Sequence, residues 1–151
     1  MRIYLAGPFF SDEQIDRIAR AEHALTQNQT VDSFFSPRLS DENSTPLLKE
    51  GTPEWAQMIF KKDVEEIDDA DLVVAVAAFV HANVDSGTAF EVGYAYHSNK
   101  PDRKSVIVQE LDEPLNLMLG QALTHYTTSV ADLATLDFTN LPNQPYSGQT
   151  F

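Results

Sequence analysis

The chain has 151 residues, enough for one domain around one layered core, and its 42% hydrophobic content is that of a globular protein. Asp and Glu number 23 against 10 Lys and Arg, a formal net charge of -13; that field opposes DNA, RNA or an anionic membrane as the main partner but leaves small ligands open. There is no cysteine, which excludes disulfides and thiol catalysis and suits a reducing cytosol.

"MRIYLAG" meets Gly7-Pro8 too early to be a secretory leader, so residues 2–6 read as a first strand. A helix follows over "SDEQIDRIARAEHAL", with Ser11 as cap and Gln14 in the capping-box position. Ile15, Ile18, Ala19, Glu22 and Leu25 share one side of it. Val31–Phe35 reads as the second strand. Residues 36–52, rich in Ser, Pro, Asp, Glu and Asn, form a long loop of the kind that serves as a lid or binding loop. Thr52-Pro53 caps the next helix, which carries Trp55, Met58, Ile59 and Ile67, with Lys62 a candidate break.

"LVVAVAAF" is the third strand. It is apolar without alternation, which predicts burial on both faces, as in a parallel sheet between helices. Its apolar run is about half the ~20 residues that a membrane span needs, and a soluble, cytoplasmic protein is expected. A helix starting at Ser86 or Gly87, a strand "KSVIVQ", a helix over 114–123, a strand "HYTTSV" and a short helix "VADLATLDF" complete the chain before an irregular end. The alternation predicts an α/β sandwich with a mostly parallel five-stranded sheet, one domain over 1–151. Ligands in such sheets sit beyond the carboxyl ends of the strands, which gathers Gly7, Phe9, Phe10, the segment after Phe79 and Glu91 at one rim.

Glu91 is the residue that calls for an explanation, because Ala89, Phe90, Val92 and Gly93 surround it. A carboxylate held there is poised as a nucleophile or as a counter-charge to a developing cation; the alternative is an acid that points outward or caps a neighbour. Gly87, one helical turn earlier, leaves space above it for a ring-shaped ligand. Asp85 stands at the helix start, where free amides favour an anion. Asp71 precedes the third strand and, on pattern alone, belongs to the wrong end of the sheet. Phe9 and Phe10 are either ring-stacking walls or core, and Tyr4 is a packed residue whose hydroxyl needs a partner. His23, His81, His97 and His125 have no metal-ligand spacing, and there is no dinucleotide fingerprint, Walker loop or nucleophile elbow.

Taken together, Tyr4, "AGPFF", "DADLVVAV", "DSGTAFEVGYA", "NLM" and the ending "YSGQTF" resemble the nucleoside 2-deoxyribosyltransferase family over nearly the whole chain. The resemblance implies a flavodoxin-like three-layer fold and a homo-oligomer, usually a hexamer, with pockets shared between subunits. It implies exchange of the base of a 2'-deoxynucleoside for another free nucleobase, with no metal and no organic cofactor. By the same resemblance Glu91 is the nucleophile, Tyr4 positions it, Asp85 grips the sugar hydroxyls and Asp71 serves the base and its protonation. Asn116 and Met118 reach a neighbouring subunit's pocket, and Phe151 brings its terminal carboxylate to the site. "GPFF" and "SPR" depart from some members and leave base preference open. The competing readings are an N-glycosidic hydrolase of nucleosides or their monophosphates, and a non-catalytic nucleotide-binding module.

Overall fold

The computed structural model describes residues 1–40, 48–78, 83–97 and 103–151. Within them β1 (Arg2–Ala6), β2 (Ser33–Phe35), β3 (Leu72–Val76), β4 (Lys104–Val108) and β5 (His125–Thr127) form one sheet in the order β2-β1-β3-β4-β5. Every pairing is parallel, so the sheet expected to be mostly parallel is wholly so. The chain steps from β1 to one side for β2 and then to the other for β3. That reversal opens a crevice at the carboxyl ends of β1 and β3.

Alternation along the strands decides which side chain meets which helix. Ile3, Leu5, Leu72, Val74, Val76, Val106 and Val108 pack toward α1 (Asp12–Gln27) and the 3₁₀ turn Val130–Ala134. Tyr4, Ala6, Val73, Ala75 and Ile107 face the other way, onto α2 (Pro53–Asp69), α3 (Ser86–His97) and α4 (Leu117–Ala122). The result is the expected three-layer α/β arrangement. Each fully buried aliphatic side chain contributes about 1.5–3 kcal/mol.

Local signals set the element ends. Ser11 Oγ accepts from Gln14 N at 3.3 Å, while Gln14 Oε1 accepts from Phe10 N at 2.8 Å, one residue before the usual capping-box partner. The buried stripe of α1 centres on Ile18, Ala21 and Leu25, which leaves Ile15, expected on that face, at its exposed margin. Thr52 caps α2, Pro53 fills its first position, and the helix runs unbroken through Lys62, contrary to expectation. β2 and β5 are shorter than their apolar runs suggested, and β3 ends at Val76; Phe79 and His81 lie outside the described residues, as does 41–47 of the long loop. α4 begins late because Asn116 Oδ1 caps Met118 N at 3.0 Å. The C-terminal segment bridges the outer strand β5, His125 to Gln144, and then the segment before α4, Leu115 to Thr150. Among the described residues no helix is long and apolar enough to cross a membrane.

Candidate active site

Tyr4 lies in the middle of β1 with its side chain on the α2/α3 side, fully buried, and a buried phenol needs a partner. It donates to Glu91 Oε1 at 2.5 Å. Val92 and Ala95 lock α3 onto the sheet, which turns the partly buried Glu91 toward the crevice between β1 and β3. Burial pushes the Glu91 carboxyl up to about 8; the Tyr4 hydroxyl pulls it down, and the nearby charges of Asp63 and Asp85 push it further up. Tyr4 itself is raised, by burial first and by the Glu91 charge second, so the shared proton stays on the phenol.

A cavity of about 430 Å³ opens above this pair. On the β1 side it is walled by Phe9 and Phe10, whose rings stack 5.4 Å apart at 27°. Its opposite wall comes from Trp55, Ile59 and Asp63, which recur every four residues and so share one face of α2. At the start of α3 the Asp85 carboxylate accepts from Thr88 N at 2.9 Å and from Thr88 Oγ1 at 3.3 Å, which fixes its orientation. A Cβ at Gly87 would stand 3.0 Å from Asp85 Oδ2, so the missing side chain accommodates that carboxylate as well as opening the cavity. At Gly7 a Cβ would meet Ile18 Cδ1 at 2.4 Å and Val76 Cβ at 3.2 Å; here glycine lets the turn after β1 close onto α1 and β3.

Not every expected residue arrives. Asp71 sits just before β3, at the amino end of the sheet, where its Oδ2 accepts from Arg2 N at 2.8 Å and its own N–H donates to Arg2 O at 2.8 Å. Asp71 is at the amino end of β3 and does not line the Glu91 cavity, which corrects the role that family resemblance implied for it at the base. A further acid that lines the Glu91 cavity is Asp63, which the sequence did not single out. Its signal was the apolar stripe Trp55, Ile59, Asp63, Ile67, in which a single carboxylate interrupts a buried-facing row. Pro37, Glu50 and Thr88 also line the cavity without having been singled out.

Asn116, Met118 and Phe151 gather on the other flank of α3, around a separate cavity of about 480 Å³ with Val92, Gly93 and Tyr96. The main-chain oxygen of Phe151 accepts from Leu117 N at 3.2 Å, which ties the chain end to α4. Met118 is 71% exposed and Phe151 50% exposed. These three therefore do not touch the Glu91 cavity of their own chain. A larger hollow of about 590 Å³, near the ends of β4 and β5, carries Glu110, but that carboxylate is engaged by Arg20 and held below its usual range by those hydrogen bonds. Size alone does not mark the reactive site. Among the described residues no group of three or more His, Asp or Glu side chains has metal-holding geometry.

Residues 3–118 match the sequence profile of the family described as nucleoside 2-deoxyribosyltransferase. The chain is 27% identical to the nucleoside deoxyribosyltransferase of Limosilactobacillus fermentum, over 96% of this chain and 90% of that one. With the nucleoside deoxyribosyltransferase of Lactobacillus leichmannii it shares 26% identity, over 77% and 76%. A solved structure of the 2-deoxyribosyltransferase of Bacillus psychrosaccharolyticus superimposes with a TM-score of 0.81 at 34% identity, covering 97% of this chain and 99% of that one. The matched stretch contains Tyr4, Asp63, Asp85 and Glu91, and on that evidence this chain belongs to the nucleoside 2-deoxyribosyltransferase family, enzymes that act on N-glycosidic bonds.

Proposed function

We propose that the protein exchanges the base of a 2'-deoxynucleoside for another free purine or pyrimidine through a covalent deoxyribosyl–Glu91 intermediate. The observation that carries this reading is the Tyr4–Glu91 hydrogen bond at the floor of a cavity that also holds Asp63 and Asp85. Glu91 attacks C1' from the face opposite the base, forming the C1'–O bond as the C1'–N bond breaks. The electron pair goes to the base nitrogen, which takes a proton from Asp63. The proton that the buried Glu91 carboxyl holds in the free chain passes to Asp63 when substrate binds, which leaves Glu91 as the attacking carboxylate and Asp63 as the donor. In the second half the acceptor base attacks C1', the C1'–O bond breaks, Glu91 is released as carboxylate, and the acceptor's N–H proton returns to Asp63. Two inversions retain the β configuration.

The remaining residues divide the work of binding and shielding. Asp85, oriented by Thr88, accepts from the sugar hydroxyls, and Phe9 and Phe10 stack on the flat parts of the substrate. The developing positive charge on the sugar ring is stabilised by the fixed Glu91 carboxylate, which the Tyr4 hydroxyl keeps in line. A 2'-hydroxyl would withdraw electrons from that ring, so ribonucleosides react poorly. The intermediate must be protected from water, and Asn116, Met118 and Phe151, exposed in the single chain, supply the closure to a neighbouring copy's site in a homo-oligomer, a hexamer by family resemblance. The test is direct: incubate with deoxyinosine and adenine, and follow both nucleosides by chromatography. Deoxyadenosine should accumulate as deoxyinosine falls. If none forms across a broad pH range, the reading is wrong.

A further inference from the structure

The loop after β2 leaves the sheet at its edge, where only β1 is available as a neighbour, so its first residues depend on side chains for their position. Two such ties come from opposite faces of the sheet. From α1, the buried Glu22 accepts from Ser36 Oγ at 2.7 Å and from Arg38 Nε at 3.1 Å, and makes a further ion pair with Arg38 Nη2. From α2, Lys62 Nζ hydrogen-bonds Ser40 Oγ and lies 5.5 Å from the centre of the Phe35 ring. Between these anchors sits Pro37, in the short 3₁₀ turn Pro37–Leu39, and Pro37 lines the Glu91 cavity while neither Glu22 nor Lys62 does. Lys62 also precedes Asp63 on α2, so the cation that ties down the strap and the acid that faces the cavity are adjacent residues.

We propose that the segment Ser36–Ser40 is a fixed wall for the nucleobase, and that Glu22 and Lys62 are positioning residues that set base affinity through it from outside the cavity. The inference rests on the base-exchange reading, since it needs a base in this cavity. A charged glutamate 6% exposed is expensive to bury without charge-assisted partners, and Ser36 and Arg38 are those partners. What the tie returns is a proline, with its fixed φ, held where a flat ring must fit between it and the Phe9–Phe10 and Trp55 side chains. A wall fixed before binding spares the base the entropy of ordering a loop, so loosening either anchor weakens binding without touching the groups that break the glycosidic bond.

A free nucleobase cannot react without a sugar donor, so its affinity can be measured apart from turnover. Calorimetric titration of adenine into the intact protein is compared with Lys62→Met, Lys62→Arg, Glu22→Gln and Arg38→Gln. Lys62→Met keeps the stem over Phe35 and loses the Ser40 bond; because Lys62 is not a core residue, this variant stays informative if the Glu22 change impairs folding. The dissociation constant should rise about five- to tenfold in Lys62→Met and in whichever of Glu22→Gln and Arg38→Gln is folded, with Lys62→Arg close to wild type and exchange kcat within about twofold. An unchanged dissociation constant in Lys62→Met, a fall in kcat at constant affinity, or no adenine binding by the wild type would each overturn the proposal. Adenine binding by the wild type without any base exchange would instead count against the transferase reading and leave the wall standing.

Discussion

The two flanks of α3 are built from the same helix and do opposite things. One flank turns Glu91 toward Tyr4, Asp63 and Asp85, in a cavity of about 430 Å³ that Glu50 also lines. The other presents Ala89, Val92 and Gly93 to Met118, Leu119 and Phe151, around a hollow of similar size whose lining carries no charged side chain. Val92 lies beside Glu91 in sequence and is buried where Glu91 is only partly so. On the proposed reading α3 separates reactivity from closure: one flank holds the charge that bond breaking needs, and the other offers apolar surface that would close a neighbouring copy's site.

The sharpest way to break that division is Glu91→Ala, which removes the proposed nucleophile from the charged flank. Exchange should fall about 10⁴-fold with the fold intact by circular dichroism, as for loss of a covalent nucleophile. Full retained activity would mean that chemistry is not on this flank at all. Next comes the choice between two acids. Asp63→Asn should cost about 10²–10³-fold in kcat, the scale of a lost general acid, and less for donors whose bases leave easily. Asp71→Asn should stay within about threefold of wild type, because an asparagine oxygen can still accept from Arg2 N. Steady-state rates on deoxyinosine decide both, and equal losses would mean that the amino end of the sheet matters in a way its hydrogen bonds do not suggest.

The apolar flank is sharpened by mixing. The double variant Asn116→Ala, Met118→Ala should lose about 10–100-fold in exchange if these side chains close a partner's site. Co-refolding it with Glu91→Ala should then restore roughly a quarter of wild-type activity, since some sites receive an intact residue set from two different chains. No recovery in verified mixed assemblies would place Asn116 and Met118 outside the reaction.

Much of this was legible in the sequence, and the misses share a physical cause. Strand identity, parallel pairing and the rim that carries the site followed from apolar runs alternating with capped helices. Glu91 stood out because its immediate neighbours are apolar. Asp63 did not, because its immediate neighbours are Lys62, Val64 and Glu65 and it reads as part of a charged surface; its apolar company lies four residues away on either side. A helix face has to be read at that spacing before such an acid becomes visible. Asp71 is the reverse case: its place just before a buried strand marks it for the amino end of the sheet, where it bonds Arg2, and the role implied by family resemblance does not fit that place. The anchors on Ser36 and Ser40 were beyond reach, since nothing in a linear sequence joins Glu22 to Arg38 or Lys62 to Ser40.

The smallest effect concerns stability, and its sign follows from Glu91 alone. In the folded chain this carboxyl is raised from 4.5 to about 8, chiefly by burial, whereas in the unfolded chain it titrates normally. Between those two values the folded state holds the proton and the unfolded state releases it, so stability falls as pH rises and levels off above about 8. Glu91→Gln, which keeps the shape and cannot ionise, escapes that loss. Its thermal midpoint should match wild type near pH 4 and exceed it progressively up to pH 8. The gain should reach about 1–2 kcal/mol, a few degrees, once the cavity's access to water is allowed for. Asp85→Asn, which removes a charge that pushes Glu91 up, should move the midpoint of the wild-type transition to lower pH. A difference between Glu91→Gln and wild type that does not change with pH would mean that Glu91 is solvated like any surface acid. The charged flank would then have no special claim on the reaction.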